Sequence, residues 1–275
     1  MARFLTYAEK DTWIHRLSGV TKMVFFILWS LGGMLTYDTR VLITMLTLSL
    51  IIFKISKTEW KQVGTVFKFI LFFLCLNLLF IYTFSPYEGC RIYDSRTELF
   101  HIVGKYSITA EQMFYEFNIM LKYLTVVPVV LMFMVTTNPS EFAASLSRIG
   151  VSYKVGYSLA IALRYVPDVQ ADFTKIKHAQ EARGIEMSSK ASLLKRLRNM
   201  ANIIFPLLFS SMDRIDVVSN AMELRGFGKS KKRTWYMGKA LERNDFLTLA
   251  FVICFIAAAM IITYYDGSRF YNPFH

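Results

Sequence analysis

The sequence has little with which to build a catalytic or metal centre. It has three cysteines: Cys75 and Cys254 lie inside apolar runs and Cys90 stands alone in a polar stretch, so neither a disulfide framework nor a metal-ligand spacing is present. Its four histidines, at 15, 101, 178 and 275, are scattered. Charged residues make up only 19%, and acidic ones are the scarcer kind, 20 against 32 Lys and Arg. The apolar runs hold no His pair, no paired carboxylates and no Ser or Cys with a base at plausible spacing, which argues against chemistry at membrane depth. No signal peptide is expected either, because MARFLTYAEKDTWIHRL is charged and amphipathic, with no apolar core and small-residue cleavage site behind it.

Apolar residues are abundant, 54% of the chain with 16% aromatic. That is more apolar surface than a soluble domain of this size could bury, and it reads as a polytopic membrane protein. A ~30 Å hydrocarbon layer needs about 20 helical residues, and Phe69 to Tyr87, Tyr123 to Ser140 and Phe246 to Tyr265 are long enough or nearly so. Met23 to Tyr37 and Val41 to Phe53 are shorter and close together, so they are expected to form a hairpin whose Lys22, Arg40 and Lys54 snorkel outward. The fold class is therefore all-α: about five transmembrane helices plus long amphipathic helices. Asn77, the main polar residue of the third run, is expected to make an interhelix hydrogen bond.

The net charge of +12 is concentrated between Thr136 and Asp245, as the positive-inside bias requires of a cytoplasmic segment. This places the N-terminus inside, an outer loop at about 85–111 and the C-terminal tail DGSRFYNPFH outside. Three regions follow: membrane helices over 1–135, an amphipathic region over 136–244, and a final span with its tail over 245–275.

The middle region is the informative one. NPSEFAASLSRIG reads as a short helix with Asn138 as N-cap, Pro139 at its first position, Glu141 in its first turn and Gly150 ending it. Phe142, Leu146 and Ile149 share one face, suited to the membrane interface or a partner. A second helix is expected from about Tyr153 to Arg183, broken or bent at Pro167. A loop with Ser188 and Ser189, the basic stretch KASLLKRLRNM, and a third helix from about Ile203 to Arg225 with Pro206 in its first turn or at a kink complete the region.

The two long helices end alike, in AQEARGIEM and AMELRGFGK. Gly184 and Gly226 are expected to leave the helix through a left-handed conformation. Arg183 and Arg225 then sit at the negative end of the helix dipole and project a planar, permanently charged fork past it. Such an end can be a simple cap. Two copies, each with the preceding Ala and Glu and a following apolar residue, suggest a two-pronged plug for two similar sockets. GFGKS, from Gly226, imitates a phosphate-binding loop but has Glu223 where the first glycine belongs, so no nucleotide site is assigned. The cluster Lys229, Lys231, Lys232 and Arg233 suits lipid headgroups better than nucleic acid, having no nucleic-acid-binding fold around it.

Over most of its length, and most strongly from Thr136 to Gly228, the chain resembles the transmembrane T component of energy-coupling factor (ECF) transporters, the EcfT/CbiQ family. TTNPSEFAASLSRIG looks like its first coupling segment, ALRYVPDV like its Arg-aromatic-x-Pro stretch. Ala182, Arg183, Gly184 and Leu224, Arg225, Gly226 look like its paired Ala-Arg-Gly signatures, with Leu224 in place of Ala. HRLSGVTKM lacks the Asp-Pro-Arg commonly found after His-Arg-Leu.

The resemblance implies a coupling subunit in the plasma membrane of a prokaryote, itself without cofactor or enzymatic activity. Its two Arg-Gly ends would engage two cytoplasmic ATP-binding-cassette ATPases, a homo- or heterodimer, which hold the ATP and Mg. It would also clamp one small membrane substrate-binding S component for vitamin or metal-ion uptake. Pro139, Phe142, Leu146, Ile149, Leu193 and Leu197 are the expected S-component or interfacial contacts. A self-contained secondary transporter would want inverted repeats or broken midplane helices with ionisable residues; a membrane enzyme would want the polar groups found lacking above. Met187, Met200, Met212 and Met222 would suit sliding contacts. The transported substrate is not legible.

Overall fold

The computed structural model describes residues 11–103, 106–185, 193–229, 235, 238–265 and 268–274. They fall into two units, residues 1–138 with 239–275 and residues 139–238.

In the first unit, the short helix α1 (Trp13–Arg16) leads into α2 (Gly19–Leu35), α3 (Thr39–Ile55), α4 (Trp60–Phe84), α5 (Glu88–Tyr93), the strands β1 (Glu98–Val103) and β2 (Tyr106–Thr109), and α6 (Ala110–Thr136). Ser18 and Asp38 cap α2 and α3 by accepting from the backbone N–H groups of Thr21 and Arg40. Each of these helices has 17 residues, about 25 Å at 1.5 Å per residue. Among the described residues, three longer segments are apolar enough to cross a membrane: Val63–Phe84, Ala110–Thr136 and, after the second unit, Arg243–Tyr264. The protein is an all-α, multi-pass membrane protein whose described strands form one small antiparallel hairpin.

Trp29 organises this bundle. Its ring, fully buried, stacks between Phe25 and Phe255, both at 5.3 Å, and its Nε1 donates to Ser49 Oγ at 2.9 Å. Ser49 Oγ in turn reaches the Thr125 carbonyl at 2.8 Å, and Thr39 Oγ1 donates to Asn118 Oδ1 at 2.7 Å. Where lipid offers no hydrophobic contrast between helices, packing and such polar links fix register. Asn77 is not one of them: its Oδ1 is buried without a hydrogen-bond partner among the described residues. Outward-facing Phe69, Phe72, Phe73, Leu79, Phe80 and Phe84 leave most of α4 exposed, as a lipid-facing helix would be.

The span expected to begin at Tyr123 starts instead at Ala110, because polar residues of its first turns are buried by tertiary bonds. The Glu111 carboxylate accepts from Thr97 N at 2.9 Å and Ser95 Oγ at 3.1 Å, and Gln112 Oε1 accepts from Gly89 N at 2.8 Å. The C-terminal tail folds back onto the same unit, Tyr37 N donating to the Arg269 carbonyl at 3.1 Å.

The second unit contains α7 (Pro139–Arg148), α8 (Tyr153–Ala182) and α9 (Leu193–Leu224). Two expectations are corrected here. The helix α8, expected to be broken or bent at Pro167, is not broken there, since a helix of 30 residues retains enough bonds on either side of the one that proline removes. The helix α9 begins ten residues earlier than Ile203, so Pro206 lies nearly four turns inside it. The last helix, α10 (Arg243–Tyr264), belongs to the first unit and opens with a reciprocal capping box of Glu242 and Asp245.

Candidate functional site

Both Arg-Gly ends are Schellman motifs. At the end of α8, Gly184 has φ +84°, its N–H reaches the Glu181 carbonyl at 3.0 Å and the Ile185 N–H reaches Gln180 at 3.1 Å. At the end of α9, Gly226 has φ +67°, its N–H reaches Glu223 at 2.8 Å and the Phe227 N–H reaches Met222 at 2.9 Å. The arginines therefore occupy the cap position itself, one residue beyond the last helical turn, and both are exposed. Ala182 and Leu224 beside them are exposed too, Leu224 at 89%. Glu181 is held within its own helix by Lys177 at 3.7 Å and His178 at 3.3 Å, and does not pair with Arg183.

The two ends do not lie side by side. Gln180 Nε2 donates to the Asn202 carbonyl at 3.2 Å, Asp172 pairs with Arg214 at 2.7 Å, and the ring of Tyr157 lies 4.9 Å from that of Phe227. Partner numbers on α9 rise as those on α8 fall, so the helices run antiparallel. Arg225 is then about 23 residues, roughly 35 Å, along α9 from the level of the Arg183 end. The Arg214 guanidinium beside Asp172 holds its carboxyl below the ordinary range.

Between α8 and α9 lies an open groove of about 460 Å³ lined by Ile161, Tyr165, Val169, Ile215, Val218 and Met222. Phe205, Leu208, Phe209, Met212 and Ile215 of α9 are all exposed at helical spacing, an apolar face of the kind that marks an interaction surface.

The buried face of α7 is Glu141, Ala143, Ala144 and Ser145. Phe142 and Leu146 are only half-buried and Ile149 is exposed, so the apolar residues picked out by spacing are at least partly available. Pro139, Leu193 and Leu197 lie in helices but their side chains are outside the described residues, as are Met187, Ser188, Ser189 and the cluster Lys231 to Arg233. In GFGKS, Gly226 and Gly228 (φ +91°) follow a helix end; Ser230 is outside the described residues.

Sequence reasoning missed a clasp at the Arg225 end. Phe227 packs on Tyr153 at 5.7 Å and on Tyr157, and Trp235 lies against Tyr157 at 6.3 Å. Trp235 also covers Gly156, where a Cβ would meet the Ala143 carbonyl oxygen at 2.9 Å. The clasp joins α7, the start of α8 and the chain after α9. A glycine inside a helix, costing about 1 kcal/mol against alanine, was its only sequence signal.

The sequence matches the CbiQ family, described as cobalt transport protein, over residues 10–236. The chain belongs to this family. Among CbiQ-like relatives, the energy-coupling factor transporter transmembrane protein EcfT of Leuconostoc gelidum subsp. gasicomitatum is 27% identical over 272 residues, covering 93% of this chain and 95% of that protein. The EcfT of Streptococcus thermophilus is 27% identical, covering 94% and 96%, and that of Lactococcus lactis subsp. cremoris is 27% identical, covering 90% and 92%. These relatives are named as transporter transmembrane proteins rather than enzymes.

Proposed function

We propose that the chain is the coupling subunit of an ECF-type importer in a prokaryotic plasma membrane, with its second unit cytoplasmic. Arg183 and Arg225 dock into two ATP-binding-cassette ATPases that hold ATP and Mg, while this chain binds no cofactor. The observation that carries the reading is the pair of Schellman-capped, exposed arginines at opposite ends of an antiparallel helix pair. A separation of roughly 35 Å suits two sockets on two subunits better than one shared site. Guanidinium forks there can meet carboxylates or carbonyls in each groove, with exposed Leu224 adding an apolar contact beside one of them.

The exposed apolar face of α9, the groove beside α8, and Phe142, Leu146 and Ile149 are the surfaces offered to one small membrane S component and to the bilayer. Closure of the ATPase pair would then move the helix ends and tilt or release the S component, which carries the vitamin or metal ion.

Truncating an interfacial charge costs about 2–5 kcal/mol, and reversing its sign costs more. Arg183→Glu combined with Arg225→Glu is expected to abolish ATPase co-purification and uptake, each single change weakening both. Full uptake by the double variant overturns the reading.

A further inference from the structure

The chain passes from the first unit to the second between Asn138 and Pro139 and returns between Gly238 and Lys239. Within the first unit, Lys239 beside the return and Lys22, which bonds Thr136 beside the outgoing crossing, meet at one backbone oxygen. Lys22, on the first turn of α2, is only 2% exposed, and its Nζ donates to the Thr136 carbonyl at 2.9 Å and the His15 carbonyl at 3.4 Å. Lys239, the first residue after the return, donates its Nζ to the same His15 carbonyl at 3.0 Å. Thr136 is the last residue of α6, so its carbonyl is one of the four that a helix leaves without an intrahelical partner, at the negative end of the dipole. An ammonium suits that position on both counts.

The surroundings of this node are buried and hydrogen-bonded. His15 is 6% exposed and its Nδ1 lies 2.6 Å from Thr12 Oγ1. Ser18 N donates to Asp245 Oδ1 at 2.9 Å, and the other oxygen of Asp245 accepts from Glu242 N at 2.9 Å, linking α1 and α2 to the start of α10 just after the return. The buried side chains of Thr12, His15, Ser18, Lys22 and Asp245 thus serve the two crossings and no part of the Arg-Gly ends.

We infer that Lys22 and Lys239 form a clamp on the His15 carbonyl that pins the outgoing and returning segments to a single node. Resting on the proposed coupling role, the clamp keeps the outgoing and returning segments together under force applied at Arg183 and Arg225. Two loose linkers would dissipate that force. Lys22 and Lys239 are positioning residues: the functional ends act through them.

Distance measurement between spin labels tests the clamp without any partner. Labels go on Thr47→Cys in α3 and Asn244→Cys at the start of α10, both exposed and both in the first unit, in the full chain with Cys75, Cys90 and Cys254 changed to Ser. The lysine-containing chain is expected to give one narrow distribution. Lys22→Met removes the ammonium from the Thr136 carbonyl, leaves the His15 carbonyl to Lys239 alone, and is expected to raise the population outside that peak about tenfold. Lys239→Met, at the exposed side of the same carbonyl, should give a smaller rise and serves if Lys22→Met does not fold. Unchanged distributions in the folded variants overturn the clamp.

In the assembled transporter, Lys22→Met is expected to keep ATPase co-purification and ATP hydrolysis while uptake per ATP falls about tenfold; an unchanged ratio also overturns it. Failure of the docking reading would appear elsewhere, as full uptake by the double arginine variant.

Discussion

Replacing Gly156 by alanine puts a methyl carbon 2.9 Å from the Ala143 carbonyl oxygen and 3.3 Å from Cζ2 of Trp235. Ordinary contact begins at 3.4 Å, so α7 or α8 must retreat by half an ångström at the oxygen, a backbone atom that cannot rotate away. Overpacking of this kind costs about 1–3 kcal/mol. The helix gains about 1 kcal/mol from losing a glycine, leaving a net loss of up to about 2 kcal/mol concentrated at the α7–α8 contact. Hydrogen exchange of the α7 amides in the purified chain should therefore accelerate by roughly tenfold, since 1.4 kcal/mol of local opening free energy is one decade. Gly64→Ala, where nothing lies within 4 Å of the new carbon, should cause no such loss. Slower exchange in α7 after Gly156→Ala would mean that the close approach does not exist and that the aromatic clasp does not hold the Arg225 end to α7.

Two further outcomes follow from the same unit. Gly226→Ala forces a side chain into a left-handed conformation at φ +67° and should cost about 1–2 kcal/mol, fraying the last turn of α9 and weakening ATPase co-purification with Arg225 unchanged; Gly226→Asn should recover part of both. The depressed carboxyl of Asp172 contributes its link to α9 fully above the ordinary carboxylate value of 3.8, and the contribution is lost as pH falls through the lower folded value. Interhelix distances between α8 and α9 should thus hold down to that value and broaden below it, whereas in Asp172→Asn they should not change over that window.

Much of the candidate site was legible because it depends on local chemistry. A glycine needed at positive φ, an arginine before it and a helix before that are readable one residue at a time, and Gly184 and Gly226 behave as that rule requires. The same holds for the α2–α3 pair, whose short apolar runs define two helices joined by a three-residue turn, although Lys22, expected to snorkel outward, is buried because the Thr136 and His15 carbonyls take its ammonium. The start of α6 was not legible: Glu111, Gln112 and Asn118 look like the residues of a polar loop, and only bonds to Thr97, Gly89 and Thr39 allow them inside. Nor did Pro167 announce that α8 would run through it.

The sequence by itself determined that this is a helical membrane protein with two matching arginine-tipped helices, because apolar run length and glycine stereochemistry act within a few residues of chain. Only the tertiary structure decided that those tips point to opposite ends of an antiparallel pair, that Gly156 sits under Trp235, and that Lys22 and Lys239 meet at one carbonyl. Each of these depends on groups far apart in sequence brought within about 3–4 Å, the range over which hydrogen bonds and packing act.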